Sequence, residues 1–393
     1  MSLPMCWTRV VSFPSLSSPK FCRGDRSILS SCAVPCVFLR EKRFESQILA
    51  RRSYFAAVRE ISAKIESGSL GPRDDELLVA IVWLCVFENS QVENGLQGDI
   101  HLEALSKLLF LRQPLNQTSA SSGALALERI CVESFIYHSA MATLFNGRRD
   151  ASDLVEQMVK KYEDSLAPMG SSHSLTALSQ TVFQSPVLGA PCDIFLVLMQ
   201  ATRHVRRGEN LTFEEEMDAW KQYSEIRGWE RALDARCAHM RETRVWMGKI
   251  YAVTVRVMLI HVLFTATSRQ STAASWHTEV STLQTETRHM LEMAEFYLHQ
   301  TWAKFLLWPL AILGAVSTCH EDIHRVRSLL RQVVERSHCS TAVLVQNVLE
   351  QRVWARLSPP FEADVSLSMD GLRTVLNEKV MLEAATSFTA STS

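Results

Sequence analysis

Apolar residues recur along most of this chain with the spacing of helices, and the alternation of strands between tight glycine turns is hard to find. RDDELLVAIVWLCVFE (73–88) opens on acidic residues, which suit the positive end of a helix, and then places apolar residues on nearly every face, as a core helix does. LALERICVESFIYHSAMATLF (125–145) reads the same way. After Thr318, the positions Ile323, Val326, Leu330 and Val333 share one face, with Arg325, Arg327, Arg331 and Glu335 elsewhere, which predicts a helix lying on a core. Between Trp229 and Thr267 the pattern predicts one long helical stretch. Its Met247, Tyr251, Val255, Met258 and Val262 form a stripe, and Val253, Val257 and Ile260 cover further faces, so its second half should be buried all round. Arg256 and His261 inside it need partners: the first reading of Arg256 is a core ion pair with a carboxylate, and contact with a ligand is the alternative.

The run FLLWPLAILGA (305–315) is eleven apolar or small residues around Trp308 and Pro309. A membrane-spanning helix needs about 20 apolar residues, and Lys304 and Glu321 bracket a shorter run, so this segment is expected to fill a core. Pro309 predicts a kink, or the junction between two helices. Thr212 with Glu215 and Thr318 with Glu321 have the spacing of a capping box, worth about 1 kcal/mol per cap. Connections are expected at 113–123, 165–174 and 268–275.

The first 43 residues differ from the rest: Ser-rich, mostly basic in charge, and interrupted by Pro4, Pro14, Pro19 and Pro35. They read as a disordered leader. A mitochondrial transit segment is the alternative, against which the prolines and the lack of a clean amphipathic period count. Residues 44–385 read as one all-helical domain, and the Ser/Thr-rich 386–393 as a disordered tail.

Composition sharpens this picture. Of 393 residues 47% are hydrophobic and 21% charged, enough for a large core, and only 14 Gly and 12 Pro are present. The fold class is all-α. Lys and Arg (41) nearly cancel Asp and Glu (42), so the chain lacks the net positive field that holds a polyanion. The basic pairs Arg51–Arg52, Arg148–Arg149, Lys160–Lys161 and Arg206–Arg207 read as decoration of solvated faces. Ten cysteines include no CxxC pair, and those at 85, 131 and 237 lie in apolar helical stretches, which fits a reducing compartment. The sequons at Asn116 and Asn210 then read as chance.

One motif invites catalysis: HEDIH (320–324) satisfies H-E-x-x-H, in which His320 and His324 would hold zinc and Glu321 would act as base. Asp322 and Arg325 put charge where such helices are apolar, Glu321 is spoken for by the predicted cap, and no third ligand follows at the spacing of the longer motif. No GxSxG, Walker loop or GxGxxG follows a strand. The expectation is therefore no catalytic, cofactor or metal site and no enzyme. Trp302, Phe305 and Trp308 are core by default, with a small-molecule cavity between helices as the alternative.

Several segments, in order, resemble the regulatory region of fungal zinc-cluster transcription factors, the helical fungal-specific transcription factor domain. VWLCVFENSQV followed by DIHLEALSKLLFLR looks like that family's helix pair, with His101 at its recurrent histidine. ESFIYHSAMATLF, SPVLGAPCDIFLVLMQATR, GKIYAVTVRVMLIHVL, FLLWPLAILGA and VLEQRVW follow in the family's order, the whole covering about residues 45–356. The resemblance implies a nuclear transcriptional regulator controlling a metabolic or secondary-metabolite gene set, working with coactivators or other regulators and plausibly as a homodimer, without a membrane. In the family, DNA is read by a separate six-cysteine zinc cluster. Cys6, Cys22, Cys32 and Cys36 lack its CxxC spacing, so zinc is expected only if such a cluster precedes this chain, and DNA contact only through it or indirectly. A helical adaptor or ligand-sensing protein that never touches DNA is the alternative.

Overall fold

The computed structural model describes residues 44–88, 99–115, 120–146, 151–166, 185, 187–207, 211–237, 243–267, 273–298, 303–337, 340–357 and 365–392. Among them are fifteen α-helices and no strand. The helices are α1 (Phe44–Glu66), α2 (Asp75–Glu88), α3 (Asp99–Leu111), α4 (Ser122–Asn146), α5 (Ser152–Lys161), α6 (Glu163–Leu166), α7 (Cys192–Arg207) and α8 (Phe213–Cys237). There follow α9 (Thr243–Thr267), α10 (Ala273–Tyr297), α11 (Leu307–Val316), α12 (His320–Ser337), α13 (Ser340–Val348), α14 (Val365–Val375) and α15 (Glu378–Thr392). A 3-10 turn (Ala303–Leu306) leads into α11, and a π turn (Leu349–Val353) and a 3-10 turn (Trp354–Arg356) follow α13. The leader, Trp302, Asn116, Asn210 and the pair Arg148–Arg149 lie outside the described residues.

The body is organised around α9, which α7, α8, α10, α11 and α14 all touch. Every stripe residue from Met247 to Val262 is buried, and so are Val253, Val257 and Ile260, so the helix is enclosed on all faces as its pattern predicts. Val245–Phe264 is long and apolar enough to cross a membrane by composition, yet 89% of its apolar window is buried inside the protein. Nine of the ten residues of α11 are buried too. At about 1.5–3 kcal/mol for each large apolar side chain removed from water, these two helices supply a large share of the driving force for packing.

Pro309 sits in the first turn of α11, just past the 3-10 turn. Backbone N–H groups there have no intrahelical acceptor, so a residue without one costs nothing, and the proline marks a junction between helices. Trp308 is fully buried, stacked at a tilt on Tyr251 of α9 at 4.8 Å and near Phe195 of α7 at 6.2 Å. Gly314, further along α11, lets Val326 and Leu349 approach to within a methyl group of its backbone, and its carbonyl accepts a 2.9 Å bond from the Trp354 indole.

Local pattern misses the structure at four places. The stretch from Trp229 to Thr267 is two helices: Trp229 belongs to α8, which ends at Cys237, and α9 begins at Thr243. The box at Thr212 and Glu215 forms, each backbone N–H donating to the other's side chain at 2.9 and 3.2 Å. At the start of α12 the cap is instead one residue later, where Asp322 N–H donates to Cys319 Sγ (3.4 Å) and the thiol donates to Asp322 Oδ2 (3.0 Å). Lys161 and Arg206 do not decorate solvated faces. The Lys161 ammonium donates to the carbonyls of Leu109 and Phe110 at the end of α3, and Arg206 donates to Leu144 and Leu376, at the ends of α4 and α14. Cations there satisfy orphan carbonyls and the helix dipole together. Finally, α15 runs through the residues after Thr386, whose hydroxyl donates back to Leu382 and Glu383 while Ser387 donates to Glu383, so these polar side chains bond within the helix.

Gly371 of α14 lies against α11 so closely that an added methyl would run into the Ala315 carbonyl, a backbone atom that cannot rotate aside. Gly371→Ala should therefore cost at least about 3 kcal/mol, at the top of the overpacking range, although alanine favours helices intrinsically. A urea midpoint unchanged or raised relative to the parent would contradict this packing.

Candidate functional site

Arg256 on α9 is a charge held almost wholly out of water. Its Nη1 donates to Glu230 Oε2 of α8 at 2.6 Å and to Glu286 Oε2 of α10 at 2.9 Å; its Nη2 donates to the Tyr223 hydroxyl at 3.2 Å, and the guanidinium lies 5.2 Å from the Tyr223 ring. The side chain is 1% exposed, against 13% for Glu230 and 35% for Glu286, so the cluster opens outward on the α10 side. Burial pulls the Arg256 pKa down, but Glu230, Tyr223 and Glu286 outweigh it and hold the cation firmly. Burial pushes the Glu230 carboxyl above its usual range against the pull of Arg256. The predicted core ion pair is present, and it joins three helices. His261, one turn further on, donates from Nδ1–H to the Val257 carbonyl at 2.6 Å, and burial lowers its pKa.

A second polar centre gathers α1, α2 and α3. Tyr54 donates to Glu88 Oε1 at 2.6 Å, and the imidazole Nε2 of His101 lies 2.8 Å from the phenol oxygen and 3.2 Å from Glu88 Oε1. With the phenol proton given to the carboxylate, the imidazole must carry its own hydrogen toward that oxygen, which assigns the neutral Nε2–H tautomer. Burial lowers the His101 pKa to about 4 and, with Glu88 adjacent, raises that of Tyr54.

A third centre escaped local reading. Glu133, 1% exposed, accepts from Arg129 Nε (2.8 Å), Ser185 Oγ (2.8 Å) and the backbone N–H groups of Val187 (2.8 Å) and Leu188 (3.2 Å). It thereby pins the segment entering α7 against α4, and Gly189 turns there at φ 63° with its N–H on Ser185 Oγ. The available signal was Arg129 and Glu133 one turn apart in an otherwise apolar helix.

The HEDIH side chains are placed differently from a zinc-protease site. His320 and His324 are exposed, Glu321 is 68% exposed and pairs with Arg325 at 3.4 Å, and Asp322 pairs with Arg288 at 3.2 Å. The two imidazoles therefore face water on the outer side of α12. Among the described residues no group of three His, Cys, Asp or Glu side chains converges closely enough to hold a metal ion. Phe305 and Trp308 are core as expected. Cys85 and Cys131 are buried with thiol pKa values raised by burial, so they pack as small protonated hydrophobes; the Cys237 side chain lies outside the described residues.

The polar centres thus tie helices together, and the aromatic cluster of Tyr137, Phe195, Tyr251, Phe305 and Trp308 joins α4, α7, α9 and α11 between them. The segments singled out by order in the sequence touch one another in that same order: α2 on α3, α3 on α4, α4 on α7, α7 on α9, α9 on α11, and α11 on the turn that carries Val353. Comparison with known proteins returns one result on this arrangement: the family model described as fungal specific transcription factor domain matches residues 13–359. No curated protein and no solved structure matches the chain.

Arg256→Met should lose about 3 kcal/mol by leaving Glu230 and Glu286 facing each other, and Arg256→Lys should recover only part, since one ammonium cannot fork to both carboxylates and the phenol. Replacing Arg256 and Glu230 together by Met should cost less than Arg256→Met alone. Urea titrations of the three variants check the order. His101, His204 and His261 all have folded pKa values held below 6.5, chiefly by burial. Their contribution to stability is complete above pH about 6.5 and is lost as pH falls toward 4, because the unfolded chain binds protons first. The urea midpoint should drop across that window, and His101→Gln should flatten the drop.

Proposed function

This chain belongs to the fungal specific transcription factor domain family and so has the role of a transcriptional regulator; we propose that it acts in the nucleus, without catalysis of its own, on a metabolic or secondary-metabolite gene set. The observation that carries this reading is the extent of the family match, residues 13–359, which takes in every polar centre described above. A match of that length rests on the whole ordered series of packed segments and on no single short motif. The buried ionic groups hold the body together, Arg256 and His101 by binding neighbouring helices and Glu133 by binding the segment that enters α7.

Recognition of DNA on this reading comes through another domain or another protein. The balance of 41 cationic against 42 anionic residues supports this, because sequence-independent attachment to phosphates depends on a local excess of Lys and Arg. The same balance also favours a second reading, an adaptor that joins other regulators and never contacts DNA. Both require that the chain change transcription when brought to a promoter.

The full chain fused to a heterologous DNA-binding domain should therefore raise or lower a reporter in a fungal host, a rise marking an activator and a fall a repressor. An unchanged reporter, with the fusion demonstrably nuclear and intact, would overturn the regulatory reading. Transcript profiling after deletion of the gene tests the finer proposal: altered transcripts should concentrate in neighbouring biosynthetic or catabolic genes.

A further inference from the structure

The capping box that starts α8 presents a hydroxyl to water among charges that the packing of the helix does not use. Thr212 is exposed; its Oγ1 accepts the Glu215 N–H at 3.2 Å, and its own N–H donates to Glu215 Oε2 at 2.9 Å. Glu214, Glu215 and Glu216 follow it directly after Phe213, which places carboxylates two, three and four positions beyond the hydroxyl. From Phe213 to Asp218 no side chain is buried, Phe213 and Met217 standing 78% and 54% exposed, and the first side chain of α8 in the core is that of Ala219. The opening turns are thus held by backbone bonds and exposed polar contacts, such as the Arg207–Glu215 pair at 3.1 Å, so they open at little cost.

A carboxylate three positions after a hydroxyl, with further acid on both sides, is the charge pattern that a kinase with a basic substrate groove selects. Such a groove takes its acceptor in an opened, extended segment, and the start of α8 supplies one. Thr318 gives the contrast: it has Glu321 at the same spacing, but it is 8% exposed, and α12 buries Ile323 and Val326 within its first turns. We propose that Thr212 is a phosphorylation site for an acid-directed serine/threonine kinase. In the transfer, Thr212 Oγ1 bonds to the γ-phosphorus of ATP and the bond from that phosphorus to the β,γ-bridging oxygen breaks. The hydroxyl proton passes to a base of the kinase, and ADP leaves. The product sets about two negative charges at the positive end of α8, where the phosphate accepts the free N–H groups and competes with Glu215 for Arg207 of α7. Phe213 and Met217 then stand in a strongly anionic surround, which closes this patch to acidic partners. The assignment rests on the start of α8 alone and stands whichever genes the chain regulates.

The test treats the full chain, free of phosphate at the outset, with a purified acid-directed serine/threonine kinase and magnesium ATP, and maps the phosphate by mass spectrometry. Thr212 should take up phosphate while Thr318 stays unmodified. Thr212→Ser keeps both hydroxyl and cap and should still be modified at this position. Glu215→Gln keeps the capping box but removes the charge three positions on, and should slow uptake at Thr212 at least about tenfold. An unchanged urea midpoint confirms that this variant stays folded, so the slowing reports recognition by the kinase. No uptake at Thr212, uptake there indifferent to Glu215→Gln, or faster uptake at Thr318 than at Thr212 would each overturn the proposal.

Discussion

Arg256 cannot be buried alone, and that constraint reaches further than any other in the structure. A guanidinium removed from water costs several kcal/mol unless opposite charge and hydrogen-bond acceptors meet it. Here they come from α8 and α10 at once, through Glu230, Tyr223 and Glu286. The requirement fixes the rotation of both helices about α9, and with it the face that α9 turns toward α7 and α11. The apolar residues of α9 provide the free energy, but they would tolerate several rotations. The ion cluster tolerates few.

The same division of labour recurs. Glu133 collects the donors of the segment entering α7, and His101, Tyr54 and Glu88 join α1, α2 and α3. Lys161 and Arg206 cap helix ends that lie far away in sequence. In each case a polar group of defined geometry selects one arrangement among the many that greasy helices could adopt. Such groups add little net stability compared with apolar replacements of the same volume, so their value here lies in specificity of packing.

This also explains what could be read in the sequence. Burial of α9 on every face, the junction at Pro309 and the cap at Thr212 were legible, because each follows from spacing within a turn or two; that Arg256 needs a carboxylate was legible from its apolar surroundings, but Glu230 and Glu286, 26 and 30 residues away, were not. The break between α8 and α9 was not, since apolar periodicity continues across it. Cys319 took the cap predicted for Thr318 because a thiol one residue later reaches Asp322, and Thr318 itself is buried. The roles of Lys161 and Arg206 could not be read at all: their acceptors are 51 or more residues away, and adjacent basic residues look the same on a solvated face. Of the candidate site, the charge at Arg256 was visible, whereas Glu133 was hidden in a helix whose apolar neighbours drew all the attention.

A core held to one packing has a consequence for the surface. Where helices can slide, exposed side chains belong to no fixed patch, and complementarity between two faces has no meaning. Here α1 is keyed through Tyr54 to α2 and α3, and α8 is keyed through Glu230 and Tyr223 to α9. The outward rows of both helices are therefore set by the buried polar groups beneath them. Phe55 is exposed because Tyr54 must face Glu88, and Met217 points to water because Tyr223 and Glu230, further along the same helix, must reach Arg256. Whatever partner reads these faces reads an arrangement dictated from within the core.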